Sequence, residues 1–218
     1  GVGRGLRDAC RLARASADAG ATALMIHQPP DPFVSPRGTV DYIKAVADAA
    51  GLPMMLYLRN DAIGTGAIAD LCAVEGVKGV KWATPNPLKL AAAIGACDPD
   101  IVWVGGLAEV WAPPLYAVGA RGFTSGLINV WPERSMEIHA ALDGGDYARA
   151  NALIAGMRGF EDIRAEELNG TNVTGVKAAL LAQGLDCGPT RPPSAWPLTP
   201  AQQAKLDGFM AENGLITG

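Results

Sequence analysis

Residues 52–82 read LPMMLYLRNDAIGTGAIADLCAVEGVKGVKW. Two short runs rich in Met, Leu, Tyr and Val, 53–59 and 77–82, flank a helical pattern at 65–74, and Gly64 and Gly76 stand at its two ends. Apolar runs of this length suit strands, and the stretch between them suits an amphipathic helix. Strand, helix, strand over some 30 residues predicts a parallel βαβ unit.

Working outward, the same unit recurs. Further strands are expected at 21–27, 101–105 and 122–128, and helices at 40–50, 87–96 and 109–118. A helix at 4–19, with Leu6, Cys10, Ala13 and Ala17 at three-to-four spacing, precedes the first strand. A repeat of roughly 25 residues suits an open doubly wound sheet or a (β/α)8 barrel. Each predicted strand ends in polar residues or glycine: His27 and Gln28; Tyr57, Arg59 and Asn60; Lys81 and Thr84; Gly105, Gly106 and Glu109; Thr124, Ser125 and Asn129. Successive strands that all deliver chemistry to one rim favour the barrel, because an open sheet gathers its site at one switch point.

The expected fold is therefore α/β, a (β/α)8 TIM barrel with C-terminal helices. Only five strands can be read where a barrel needs eight. The first three βα units are expected to precede Gly1, and the opening Gly-Val-Gly reads as the end of a strand. Helices follow at 132–142, 147–168, 173–182 and 200–212, with a proline-rich connector at 188–200. This divides the chain into a barrel portion, 1–131, and a last barrel helix with a helical region, 132–218, expected to form one structural domain.

The charge balance excludes some partners. A formal charge of −4, with 18 Lys and Arg scattered along the chain, supplies no basic field, so no nucleic-acid partner is expected. Apolar stretches are broken by Gly, Pro or charge before the roughly 18 residues that a membrane span needs. No membrane partner is expected, and a cytoplasmic location is. Cys10, Cys72, Cys97 and Cys187 are widely spaced with no CxxC pair, which suggests reduced thiols and no metal site.

Lys81 stands in an apolar strand and needs a reason. Side chains alternate along a strand, so Met55, Tyr57 and Arg59 share one face, and Gly79 and Lys81 share one face of the next. A lysine nucleophile must be neutral, and at an unperturbed pKa near 10.4 only about one molecule in 2,500 is neutral at pH 7. Burial and a nearby cation such as Arg59 both favour the amine. Tyr57 supplies a phenol for proton transfer, so the pair suits imine chemistry. Taken singly, Lys81 also reads as a snorkelling strand-end side chain and Tyr57 as a core tyrosine. Gly105-Gly106 and Ser125-Gly126 read either as a phosphate cradle or as tight turns, and Glu109 as a helix-start acid favouring the dipole.

The stretches LPMMLYLRN and VKGVKWATPNPLKL, with GLRDACRLARASADAGATALMIHQPP, GARGFTSGLINVWPE, NVTGVKAALLAQGL and RPP, resemble the dihydrodipicolinate synthase and N-acetylneuraminate lyase family of class I aldolases. The resemblance covers nearly the whole chain. It implies that Lys81 is the Schiff-base lysine, Tyr57 the proton-transferring tyrosine, and that no cofactor is needed beyond the covalent imine. Arg59, Asn60, Gly105, Gly106, Thr124 and Ser125 become candidate substrate-binding residues, and the assembly a homo-oligomer, tetramer or dimer. Two departures bear on substrate. Pro30 and Asp31 stand where the synthase has paired tyrosines, and Ala62 stands near the family's carboxylate-binding arginine. The resemblance therefore implies a Schiff-base lyase, aldolase or dehydratase, for a 2-oxo acid of the 2-keto-3-deoxy sugar-acid class rather than the synthase reaction. Two rivals remain open: a non-catalytic small-molecule-binding barrel and an imine-free phosphosugar enzyme.

Overall fold

The computed structural model describes residues 5–29, 31 and 33–216. Gly1 to Gly3 and Pro30, to which the sequence reading assigned a strand end and a lost tyrosine, lie outside the described residues. The chain divides into two compact units. One runs to Leu107 and adds Pro114–Gly122; the other takes Ala108–Pro113 and the chain from Phe123 onward.

In the first unit, strands β1 (Leu24–His27), β2 (Met54–Leu58), β3 (Val77–Trp82) and β4 (Val102–Gly105) form one parallel sheet in sequence order. Helices α1 (Leu6–Asp18), α2 (Pro36–Ala50), α3 (Thr65–Cys72) and α4 (Pro87–Ala96) alternate with them. This is the α/β unit repeat of the barrel class. Leu24, Ile26, Met54, Leu56, Leu58, Val80, Trp82 and Trp103 form one sheet face and are almost fully buried, as are Val46, Ile68, Leu71 and Leu90 of the helices. Truncating one of these, as in Leu56→Ala, costs about 2–5 kcal/mol. The other sheet face, which carries Met25, His27, Met55, Tyr57 and Lys81, is half-exposed.

Helix boundaries follow local chemistry. Ser35 accepts from the Gly38 amide at 2.9 Å and Pro36 follows it, so α2 starts four residues before the apolar pattern that marked position 40. Asn86, accepting from the Lys89 amide at 3.0 Å, caps α4 in the same way, with Pro87 next.

The fifth predicted strand, 122–128, is not formed as such. Arg121 and Gly105 donate backbone hydrogen bonds that join residues 121–122 to β4, Phe123 is an isolated bridge residue, and the chain then winds into a 3-10 turn at Leu127–Asn129. The Thr124-Ser125-Gly126 sequence breaks the ladder, since small hydroxyl residues and glycine favour turns over extended pairing. The helix expected at 109–118 is likewise split into a 3-10 turn, Glu109–Trp111, and α5, Ala112–Ala117.

The second unit is helical. It holds α6 (Pro132–Asp143), α7 (Tyr147–Asn169), α8 (Asn172–Ala182) and α9 (Pro200–Glu212). Phe160 of α7 stacks on Phe209 of α9 at 5.6 Å, and Trp131 meets Phe209 at 6.4 Å. No helix among the described residues is long and apolar enough to cross a membrane.

Candidate active site

The sheet register sets three chemical side chains in one row. His27 pairs with Tyr57, and Tyr57 pairs with Lys81. Parallel neighbours stand about 4.8 Å apart, so side chains in register on one face are in reach of each other. Lys81 Nζ lies 4.4 Å from the Tyr57 ring centroid. The His27 imidazole meets the same ring edge-on at 4.9 Å and 79°. Arg59, just beyond the end of β2, puts its guanidinium carbon 5.7 Å from the centroid.

A break in the ladder makes the row possible. Met54 pairs with Val77 but Met55 pairs with Gly79, so Lys78 is passed over. Strict alternation puts Val77 on the face of Lys81. The irregularity instead sends Val77 to the core with Val80 and Trp82, leaves Lys78 exposed, and starts the site face afresh at Gly79. Two lysines three residues apart thus have different environments.

Burial, then the charge of Arg59, lowers the Lys81 pKa below its ordinary value. The Tyr57 ring face attracts an ammonium by about 0.5–1 kcal/mol at such partly exposed sites, which holds Nζ over the ring while burial and Arg59 set the net direction. Burial also lowers the His27 pKa, with Lys81 and Arg59 acting in the same sense. The shift favours the neutral imidazole.

Two glycines shape the lysine's surroundings. A Cβ at Gly106 would stand 2.9 Å from Ala83 Cβ and 3.0 and 3.1 Å from Cε and Cγ of Lys81. A Cβ at Gly79 would meet the Val102 carbonyl oxygen at 2.8 Å and the Met55 methyl at 3.3 Å. Gly79 therefore admits close backbone packing and does not open a space. The sequence left Gly105 and Gly106 as equal candidates to line the site. Gly105 belongs to β4, its amide bonded to Gly122, whereas Gly106 lies against the lysine stem.

Asn60 and Gln28 have definite partners. The Asn60 side chain accepts from the Ala62 amide at 2.9 Å, a local turn, and Gln28 Oε1 accepts from the Arg59 and Asn60 amides at 2.8 and 3.1 Å. Gln28, which sequence reasoning noted only as a rim residue, thus ties the end of β1 to the loop carrying Arg59. Thr84 is 2% exposed and its Oγ1 has no hydrogen-bond partner among the described residues.

In the second unit, Thr124 and Ser125 occupy the turn before the 3-10 segment. Ser125 Oγ donates to Glu109 Oε1 at 2.6 Å, and Ser135 Oγ donates to the same oxygen at 2.6 Å. Glu109 is fully buried. It anchors the 125 turn and α6, a role beyond the dipole reading. Gly126 lies so close to the guanidinium of Arg164 that a Cβ there would overlap it, and Arg164 pairs with Glu161 and with Asn172. Among the described residues, no group of three or more His, Cys, Asp or Glu side chains could hold a metal ion.

His27 and Glu109 are the residues that sequence reasoning undervalued. Alternation along 21–27 put His27 at a strand end, but only the register with β2 sets it against Tyr57. Nothing local in the sequence signals two serine partners for Glu109, 16 and 26 residues away.

Residues 1–212 match the sequence profile of the Dihydrodipicolinate synthetase family. A probable 5-dehydro-4-deoxyglucarate dehydratase of Streptomyces avermitilis is 31% identical over 201 residues, covering 88% of this chain and 64% of that protein. A 4-hydroxy-tetrahydrodipicolinate synthase of Methanosarcina mazei is 31% identical over 215 residues, 96% of this chain and 72% of that protein. The chain thus spans about two thirds of the length of these relatives. The crystal structure of dihydrodipicolinate synthase from Oceanobacillus iheyensis superposes with a TM-score of 0.92 at 31% identity, over 98% of this chain and 71% of that one. By sequence over nearly its whole length and by fold, the chain belongs to the dihydrodipicolinate synthetase family.

Proposed function

We propose that this protein is a Schiff-base-forming lyase for a 2-oxo acid, with a 2-keto-3-deoxy sugar acid as the substrate class. The observation that carries the proposal is Lys81, half-buried, with Nζ 4.4 Å from the Tyr57 ring centroid and its pKa lowered by burial and by Arg59. A neutral amine adds to the C2 ketone, water is lost, and the protonated imine draws electrons from C3. Tyr57 carries the protons of carbinolamine formation and collapse. Arg59 meets a distal carboxylate or hydroxyl while it holds the lysine toward its neutral form. No cofactor is required, because the iminium nitrogen is the electron sink.

The relative named as a 5-dehydro-4-deoxyglucarate dehydratase supports a deoxy keto sugar acid as substrate. Ala62, near the position of the family's carboxylate-binding arginine, argues against the synthase reaction. The resemblance also supports a homo-oligomer, which light scattering would test.

Incubation with pyruvate and borohydride tests the reading by intact mass. A pyruvate-sized increment present in the protein and lost in Lys81→Ala is the expected result. A folded protein that gives no increment with pyruvate or other 2-oxo acids overturns it, and leaves the binding-protein or phosphosugar alternative.

A further inference from the structure

The row on the sheet continues past the catalytic pair. Lys81, Tyr57 and His27 occupy the same level of three neighbouring strands, and the Tyr57 ring touches both of the others, at 4.4 Å from Lys81 Nζ and 4.9 Å from the imidazole. On the opposite side of Lys81 the residue in register is Val104. A hydroxylated chain bound to Nζ through its C2 therefore has the Val104 side chain toward β4 and polar partners toward β2 and β1. Its carbons then run across Tyr57 toward His27.

We propose that His27 recognises the substrate hydroxyl at C4, the second carbon beyond the imine carbon, and moves its proton. This rests on the imine reading given above and extends it along the substrate. In cleavage, a ring nitrogen of His27 takes the C4 hydroxyl proton and the C3–C4 bond breaks. Its electron pair becomes the C2–C3 double bond of the enamine, the iminium nitrogen recovers its lone pair, and an aldehyde leaves. The enamine then takes a proton at C3 from Tyr57, and water hydrolyses the imine to free the 2-oxo acid. In water loss the proton moves the other way. Tyr57, its phenolic proton first released to solvent, takes the C3 proton, the enamine expels the C4 hydroxyl, and His27, having taken up a proton from solvent, supplies the one that makes it water. Either course needs one proton carrier near C3 and a second one carbon further on, which is the order of the row.

The test compares two probes that differ only at C4, 4-hydroxy-2-oxopentanoate and 2-oxopentanoate. Each is titrated against the protein with borohydride, and adducts are counted by intact mass, those of the intact acid and of its cleavage product together. The hydroxylated probe is expected to half-saturate at about tenfold lower concentration, the scale of one specific hydrogen bond. In His27→Phe, which keeps a ring against Tyr57, the ratio of the two should fall to near one. His27→Gln, whose amide still hydrogen-bonds, should recover part of it. A role confined to packing would lower both adducts together and leave the ratio unchanged. A ratio near one in the unaltered protein, or one that survives His27→Phe, overturns the proposal. Absence of any adduct with pyruvate or either probe removes the imine reading itself, and this inference with it.

Discussion

Gly106 packs directly on Lys81: a Cβ at position 106 would stand 3.0 Å from Cε and 3.1 Å from Cγ of the lysine. The amide of Gly106 donates to the Trp82 carbonyl at 2.7 Å, so the backbone cannot retreat without losing that bond. The stem of the lysine is fitted to a residue without a side chain.

Gly106→Ala should therefore displace the amine. With Ala83 Cβ also only 2.9 Å from the added methyl, strain of about 1–3 kcal/mol is expected. The larger effect falls on reactivity, since misplacement by about 1 Å costs of the order of 100-fold in rate. Single-turnover borohydride trapping beside thermal melting separates the two. Trapping at the unaltered rate would show that the fit does not matter.

The pH dependence of imine formation has a defined sign. In the proposed reaction the lysine attacks as the neutral amine, so the rate constant for addition should rise with pH through the Lys81 pKa. Burial and Arg59 hold that pKa below its ordinary value of 10.5. Arg59→Met removes the second influence, leaving Tyr57 and His27 as the groups on the neighbouring strands. The rising limb should move to higher pH and the rate at pH 7 should fall. A limb that stays in place would remove Arg59 from the argument.

The same lowered pKa bears on stability. Between the folded-state pKa of Lys81 and its ordinary value, the unfolded chain binds more protons than the folded one. The lysine's contribution to stability therefore becomes more favourable as pH rises through that window. Lys81→Met should flatten this part of a stability profile, measured by urea unfolding at several pH values above neutrality.

Glu109 supplies a contrast between substitutions. One of its oxygens accepts from Ser125 and Ser135, while Oε2 is buried with no hydrogen-bond partner among the described residues. Glu109→Ala leaves two hydroxyls without their acceptor and opens a cavity, a loss of about 2–4 kcal/mol. Glu109→Gln keeps one acceptor oxygen for both serines and nearly the same volume, so it should cost less. Urea midpoints for the two variants provide the check, and equal losses would contradict the assignment of both bonds to one oxygen.

The thiols should differ in reactivity. Burial, with the neighbouring Cys97 thiol acting in the same sense, pushes the Cys72 thiol far up, and burial raises Cys97 as well. Cys187 is exposed. A thiol reagent at pH 8 should label Cys187 rapidly in the folded protein and Cys72 only on unfolding, as peptide mass mapping would reveal.

By itself the sequence determined the alternation of strands and helices, the meeting of Tyr57 with Lys81, and the family. These depend on local periods of about 3.6 and 2 residues and on caps and turns, which act over a few residues. Tertiary structure decided what depends on pairing between distant segments. Register brought His27 onto Tyr57, and a slip in the β2–β3 ladder sent Val77 to the core and left Lys78 outside. Close approach of the chain after β4 to the end of β3 separated the role of Gly106 from that of Gly105. The segment at 122–128, apolar enough to read as a strand, keeps only the ladder bonds of residues 121–122 before it turns. The physical reason is the same in each case: a strand's alternation is written in its own residues, but which neighbour each residue faces is fixed only when hydrogen bonds align one strand with the next.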